Sequence, residues 1–140
     1  MEQDRFEYPP QTPEVKNQPP TQLEELAEQL GFIETDELRQ IRDATIEASA
    51  SGREELLREL IEQYQISSEL LTGEIQGHAY ADTQIGLIIA TATLRRDCGR
   101  IYACLQDLDD AVAYAKNMDY DLLATQLQDI IIALEHSLRN

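Results

Sequence analysis

Two cysteines and two histidines are the most chemically versatile side chains in this sequence, and their spacing predicts neither catalysis nor metal binding. Cys98 and Cys104 lie on one predicted helix, where their Cβ atoms point to different sides and cannot form a disulfide within the chain. We expect Cys98 to be buried and inert, and no histidine lies within two helical turns of Cys104 to activate it. His78 and His136 lack the Glu-x-x-His spacing of di-metal helical bundles. The sequence therefore predicts no catalytic residue, no metal site and no cofactor.

A basic cluster is formed by Arg95, Arg96 and Arg100 in an otherwise acidic chain. Such a cluster can capture an anionic ligand or an acidic segment of a partner. Alternatively, the three arginines form ion pairs with acids on neighbouring helices. The second interpretation is favoured, because the chain has 27 acidic residues and only 11 lysines and arginines.

The acidity itself is the strongest indication of partner class. The net charge is −16, and residues 1–78 carry −12 of it, from 18 acids and 6 bases. This charge repels nucleic-acid phosphates and anionic membranes, so we expect neither as a direct partner. A basic protein partner is favoured, and the alternative is that the acids only keep the chain soluble. The carboxylates that share one side of a predicted helix are Glu55, Glu59 and Glu62.

A second candidate binding element is the N-terminal segment 1–20, which contains all five prolines of the chain. This composition predicts an extended or disordered tail. Proline-rich segments with aromatic residues can dock into grooves of partner proteins, although the aromatics here could instead only hold the tail against the body. The residues predicted to bind a partner are Phe6, Tyr8, Pro9, Pro10 and Pro13.

The elements that position these residues are helices, because apolar residues recur at steps of three and four throughout 21–140. Thr21, Thr35 and Asp119 are predicted to be N-cap residues. We expect residues 73–77 to form a turn, since a glycine lies at each end of them, and the alternative is a kink in a longer continuous helix. The predicted helices are about 22–31, 36–49, a third from about 53 to that turn, 79–117 and 120–138.

The helix predicted over 79–117 sets the expected architecture: an all-α bundle with one long central helix flanked by shorter antiparallel helices. That helix would be about 58 Å long, which is long for one small domain, whose radius of gyration is about 14 Å. Residues 85–90 are apolar on every side and must be buried on every side. The two short N-terminal helices are candidates to cover one flank, and a second protomer is the other candidate. The sequence thus predicts a homodimer with Ile85, Ile88 and Ile89 at the interface.

These observations favour a non-enzymatic adaptor or regulatory protein that acts through protein–protein contacts. The alternative is an acidic inhibitor that mimics nucleic acid and occupies the groove of a basic protein. The N-terminal segment has no basic and apolar signal-peptide pattern, and the longest uncharged run, Thr83 to Leu94, is too short to span a membrane. We therefore expect a cytoplasmic protein.

Overall fold

The computed structural model describes residues 19–72 and 77–139, with side chains over 22–70 and 79–139, and its regular elements in these ranges are all α-helices. The predicted all-α helical bundle is thereby confirmed. Within the described chain, α2 packs with α3, α5 with α6, and α4 with α1, α3 and α5. The helices are α1 (Pro19–Gln29), α2 (Asp36–Ala50), α3 (Glu54–Thr72), α4 (Gly77–Asp97), α5 (Ile101–Asn117) and α6 (Asp121–Arg139).

Two sequence predictions fall outside this description. The turn predicted at residues 73–77 lies mostly in residues 73–76, which the structure does not describe, and Gly77 is already the first residue of α4. The tail also lies outside the described residues up to residue 18, and with it the predicted partner-binding residues Phe6, Tyr8, Pro9, Pro10 and Pro13.

The prediction of a single helix over 79–117 is wrong, because the chain turns between α4 and α5. Gly99 has a left-handed backbone conformation with a φ of +78°, which glycine adopts without a Cβ clash. Its amide donates to the Arg96 carbonyl at 2.9 Å, and the Arg100 amide donates to the Arg95 carbonyl at 2.8 Å. These two hydrogen bonds form a Schellman motif that ends α4 and turns the chain back as α5.

The connection between α5 and α6 uses the same motif and corrects a second prediction. Asp119 is not an N-cap residue: it has a φ of 63° and lies in the turn after α5. Its amide donates to the Lys116 carbonyl at 3.0 Å, while the Tyr120 amide donates to the Ala115 carbonyl at 2.8 Å. Aspartate is one of the few residues other than glycine that tolerate this left-handed conformation.

Of the other two predicted N-cap residues, one is confirmed and one is wrong. Thr35 caps α2, since its side-chain oxygen accepts a hydrogen bond from the Leu38 amide at 3.2 Å. Thr21 cannot be an N-cap residue, because α1 already begins at Pro19. Proline suits the first turn of a helix, where its missing N–H would have no partner and its φ is already helical.

Helix α4 is buried by the chain's own helices, so the reason for predicting a dimer interface there is wrong. Ile85 and Ile89 are 0 % exposed, and Ile88 is half-buried and packs against the core. Helix α1 covers one side of α4 at Gly86, where the backbones approach closely. A second protomer is not needed to cover 85–90, and the homodimer stays a prediction.

Buried threonine hydroxyls in this core bond to their own helices. The hydroxyls of Thr91 and Thr45 donate to the carbonyls four residues earlier, those of Leu87 and Ile41, at 3.0 and 2.6 Å. Since each hydroxyl has a partner within its own helix, a threonine in the core needs no polar group on the neighbouring helix.

We predict that Gly86→Ala destabilises the fold. A Cβ at this position would lie 2.8 Å from the Phe32 Cβ and 3.2 Å from the Ala27 carbonyl oxygen, so α1 would have to move. Without that clash, alanine for glycine inside a helix is stabilising by about 0.5–1 kcal/mol. We expect instead a loss of about 1–3 kcal/mol from overpacking, measured by urea unfolding. An increase in stability would show that α1 does not cross α4 this closely.

Candidate protein-binding surface

The buried seam of α3 determines which of its residues face solvent. Leu57, Ile61 and Tyr64 are 2 %, 8 % and 1 % exposed, and α3 packs with α2 and α4. A helix has 3.6 residues per turn, so residues half a turn away from this seam point outwards. We call this outward set the α3 outer stripe. Its members, all exposed, are Glu55, Glu59, Glu62, Ile66 and Leu70.

The three glutamates predicted from the sequence form the first half of the α3 outer stripe. Within the described part of the chain, none of the three carboxylates makes an ion pair, whereas the neighbouring Glu54 pairs with Arg100. Glu55 lies in the first turn, where the helix dipole favours an acid. Glu59 and Glu62 lie beyond that turn, where their mutual repulsion costs about 0.2–0.5 kcal/mol per pair and the local base is Arg58, next to Glu59 and four residues before Glu62.

The second half of the stripe is apolar, which the sequence reasoning missed. Ile66 is 51 % exposed and Leu70 is 77 % exposed. Ile66 lies nine residues, or two and a half helical turns, after the buried Leu57, and therefore on the opposite side of α3. That spacing was visible in the sequence once the seam had been assigned.

The basic cluster forms ion pairs, as the favoured interpretation predicted. The Arg95 guanidinium donates to the Asp107 carboxylate at 2.6 and 2.7 Å, across the turn between α4 and α5. The pKa of Asp107 is raised, because burial raises it by more than the nearby Arg95 lowers it. Arg96 donates to Asp97 at 2.7 Å, and Arg100 pairs with Glu54 at the start of α3. Arg95 and Arg100 therefore join different helices, whereas Arg96 pairs with its neighbour within α4.

A partly buried polar cluster holds the α1–α2 connection against α3. The Glu34 carboxylate accepts hydrogen bonds from Arg42 at 2.6 and 3.0 Å and from the Tyr64 hydroxyl at 2.7 Å. Burial raises the pKa of the Tyr64 phenol, and the hydrogen bond to Glu34 raises it further. A cleft of about 350 Å³ borders the cluster, but the three polar groups bind one another. Because both carboxylate oxygens of Glu34 are engaged, we interpret the cluster as structural.

The thiols are not in a state suited to nucleophilic chemistry. Cys98 is 7 % exposed and Cys104 is 0 % exposed. Burial raises the pKa of both thiols, that of Cys104 to about 11. A thiol with a raised pKa is protonated at neutral pH, and the thiolate is the reactive form. Among the described residues, no group of three or more His, Cys, Asp or Glu side chains is placed to hold a metal ion.

Comparison with known proteins adds no functional assignment. No family model, curated protein or solved structure matches this chain. None of the described helices is both long and apolar enough to cross a membrane. The surfaces of the described helices are therefore the observations that bear on function.

We predict that neither thiol reacts quickly in the folded protein. A chromogenic disulfide reagent at neutral pH should label both cysteines only after unfolding in guanidinium, because both thiols are buried and protonated. Cys98 should react before Cys104 in slow native-state labelling, since it is the more exposed. Rapid labelling of either thiol in the folded protein would reveal an accessible nucleophile.

The Tyr64 hydrogen bond predicts a pH-dependent stability. The phenol holds its proton more tightly in the folded state than at its ordinary pKa of 10.0, so its contribution is present below about pH 10 and is lost as the pH rises further. Tyr64→Phe should cost about 1–3 kcal/mol at neutral pH. It should also flatten the fall in stability above pH 10, measured by urea unfolding. Tyr102→Phe, at a tyrosine that is 78 % exposed, is the matched control. Identical pH profiles for Tyr64→Phe and wild type would contradict the prediction.

Proposed function

We propose that this chain is a non-enzymatic adaptor or regulatory protein that binds a basic protein partner through the acidic half of the α3 outer stripe. The observation that carries the proposal is the row of Glu55, Glu59 and Glu62. These carboxylates are exposed, they share one side of α3, and within the described chain they have no cationic partner. A basic partner would supply the missing counter-charges.

Ion pairing elsewhere in the chain leaves this row among the acids that carry the net negative charge. Five of the arginines form ion pairs with acids in the described structure: Arg39, Arg42, Arg95, Arg96 and Arg100. They take up five acids, so the surplus of 16 negative charges rests on the other acids of the chain. A surface with such a surplus attracts a basic partner over distances of about the Debye length and speeds its association.

The absence of catalysis is part of the proposal and has its own support. The two thiols are buried with raised pKa values, and the Glu34 carboxylate is fully engaged by Arg42 and Tyr64. The two thiols and this carboxylate are therefore poorly suited to catalysis.

The alternative, an acidic mimic of nucleic acid, fits the stripe less well. A mimic needs carboxylates along the whole contact face, as phosphates run along a strand. The α3 outer stripe instead becomes apolar at Ile66 and Leu70. We also propose that the N-terminal tail contributes to docking through its aromatic and proline residues, on the basis of its composition.

The test is reversal of the charges on α3. The variant Glu55→Lys/Glu59→Lys/Glu62→Lys should lose a partner captured from native lysate by chemical cross-linking and identified by mass spectrometry. The matched control reverses three exposed glutamates of α1, Glu24, Glu25 and Glu28, and changes the net charge equally. Deletion of residues 1–18 forms a separate arm for the tail.

We expect the α1 variant to keep the partner and the α3 variant to lose it, with wild-type affinity falling as salt rises. Equal retention by both reversal variants would overturn the proposal. Equal loss in both would mean that only overall charge matters, and the α3 site would then be wrong.

A further inference from the structure

We infer that the α3 outer stripe binds an amphipathic helix of the partner, with basic residues facing Glu55, Glu59 and Glu62 and apolar residues facing Ile66 and Leu70. This inference rests on the proposed function and adds the shape and residue pattern of what is bound. In this inference, Ile66 and Leu70 belong to the partner-binding site together with the glutamates.

The spacing along the stripe is that of a helix–helix contact. Glu55, Glu59, Glu62 and Ile66 follow one another at steps of four, three and four, and Leu70 lies one turn further. A helix laid alongside another contacts it through side chains at such steps. From Glu55 to Leu70 the stripe is about 22 Å long, which corresponds to about four turns of a partner helix.

The two apolar side chains need an apolar partner surface. A single exposed apolar residue is ordinary on a protein surface. Ile66 and Leu70 instead lie on adjacent turns of one face of α3, where they are 51 % and 77 % exposed. They directly continue the row of glutamates. Burying them against a partner would release ordered water and stabilise the complex, while the carboxylates decide which partners can approach.

A second copy of this chain does not fit the stripe. In a parallel arrangement, Glu55, Glu59 and Glu62 would face the same carboxylates of the other copy, and like charges repel. In an antiparallel arrangement, the carboxylates of each copy would face Ile66 and Leu70 of the other, which buries charges without partners. A helix that is basic over one half and apolar over the other satisfies both halves at once.

The experiment uses two synthetic helical peptides as probes, with binding measured by fluorescence anisotropy. Each peptide carries three lysines spaced to face the glutamates and two leucines spaced to face Ile66 and Leu70. The peptides differ in whether the lysines precede or follow the leucines, so they test the parallel and antiparallel orientations. The variants of the full chain are Ile66→Ser/Leu70→Ser and the triple glutamate-to-lysine reversal on α3.

The matched control is Leu122→Ser/Ile132→Ser on α6, which removes one leucine and one isoleucine that are 74 % and 62 % exposed. Because all four positions are exposed, both serine variants should keep the circular-dichroism spectrum and melting temperature of the wild type. We expect one of the two peptides to bind the wild type and the α6 variant equally. Its affinity should fall by about tenfold for the α3 serine variant and be lost in the reversal variant.

The outcomes separate this inference from the proposed function. Wild-type affinity in the α3 serine variant, together with loss in the reversal variant, overturns the inference and leaves the acidic site in place. If the reversal variant binds the peptide with wild-type affinity, the glutamates do not contact it, and the proposed function is wrong as well. If neither peptide binds the wild type, the stripe does not accept a helix of this pattern and the inference is wrong.

Discussion

Helix α4 carries no charged side chain between Ile85 and Leu94, so every side of that stretch has to be covered by another helix. The chain meets this requirement by itself: α1, α3 and α5 pack against α4, and α2 touches it. Gly86 lets α1 come close enough to close one side, since its missing Cβ leaves room for Phe32 and the Ala27 carbonyl. With α4 at the centre, α2 is held through α3 and α6 is held through α5. The surfaces that remain exposed are the outer faces of these surrounding helices.

The apolar periodicity predicted what is buried better than where the chain turns. One face of the predicted 79–117 helix repeats at alternating steps of four and three residues, and all of its members are buried or half-buried in the structure. They are Leu87, Thr91, Leu94, Cys98, Ile101, Leu105, Leu108, Val112 and Ala115, with Cys98 and Ile101 on either side of the break. A Schellman turn at Gly99 leaves a step of three between these two residues, so the heptad pattern continues through it. The available signal was Gly99 after Arg95 and Arg96, a glycine that follows basic residues in a last helical turn. In a continuous helix, Arg95 and Asp107 would be about 18 Å apart, which excludes the ion pair that the hairpin forms.

The sequence predicted part of the candidate site, and the remainder depends on how the helices pack against one another. That Glu55, Glu59 and Glu62 share one side of a helix follows from spacing alone, and the structure leaves them exposed. Ile66 and Leu70 are also exposed because none of the described helices covers that side of α3. The apolar pattern of a sequence predicts helices but not how they are arranged around one another. The cluster of Glu34, Arg42 and Tyr64 was hidden for the same reason. Its members come from the α1–α2 connection, α2 and α3, and only the packed fold brings them together.

The distribution of charge connects the fold to the proposed partner. Arg42, Arg95 and Arg100 join parts of the chain that are distant in sequence, pairing with Glu34, Asp107 and Glu54. Cations used in this way are no longer available to neutralise acids on the outer faces, so the fold concentrates unpaired negative charge where a partner can reach it. On α3 this charge adjoins Ile66 and Leu70 on a single face. Charge alone would attract any basic molecule. In the proposed complex, charge followed by apolar surface would select a partner that carries both features in the matching order, because a mismatch would bury an unpaired carboxylate.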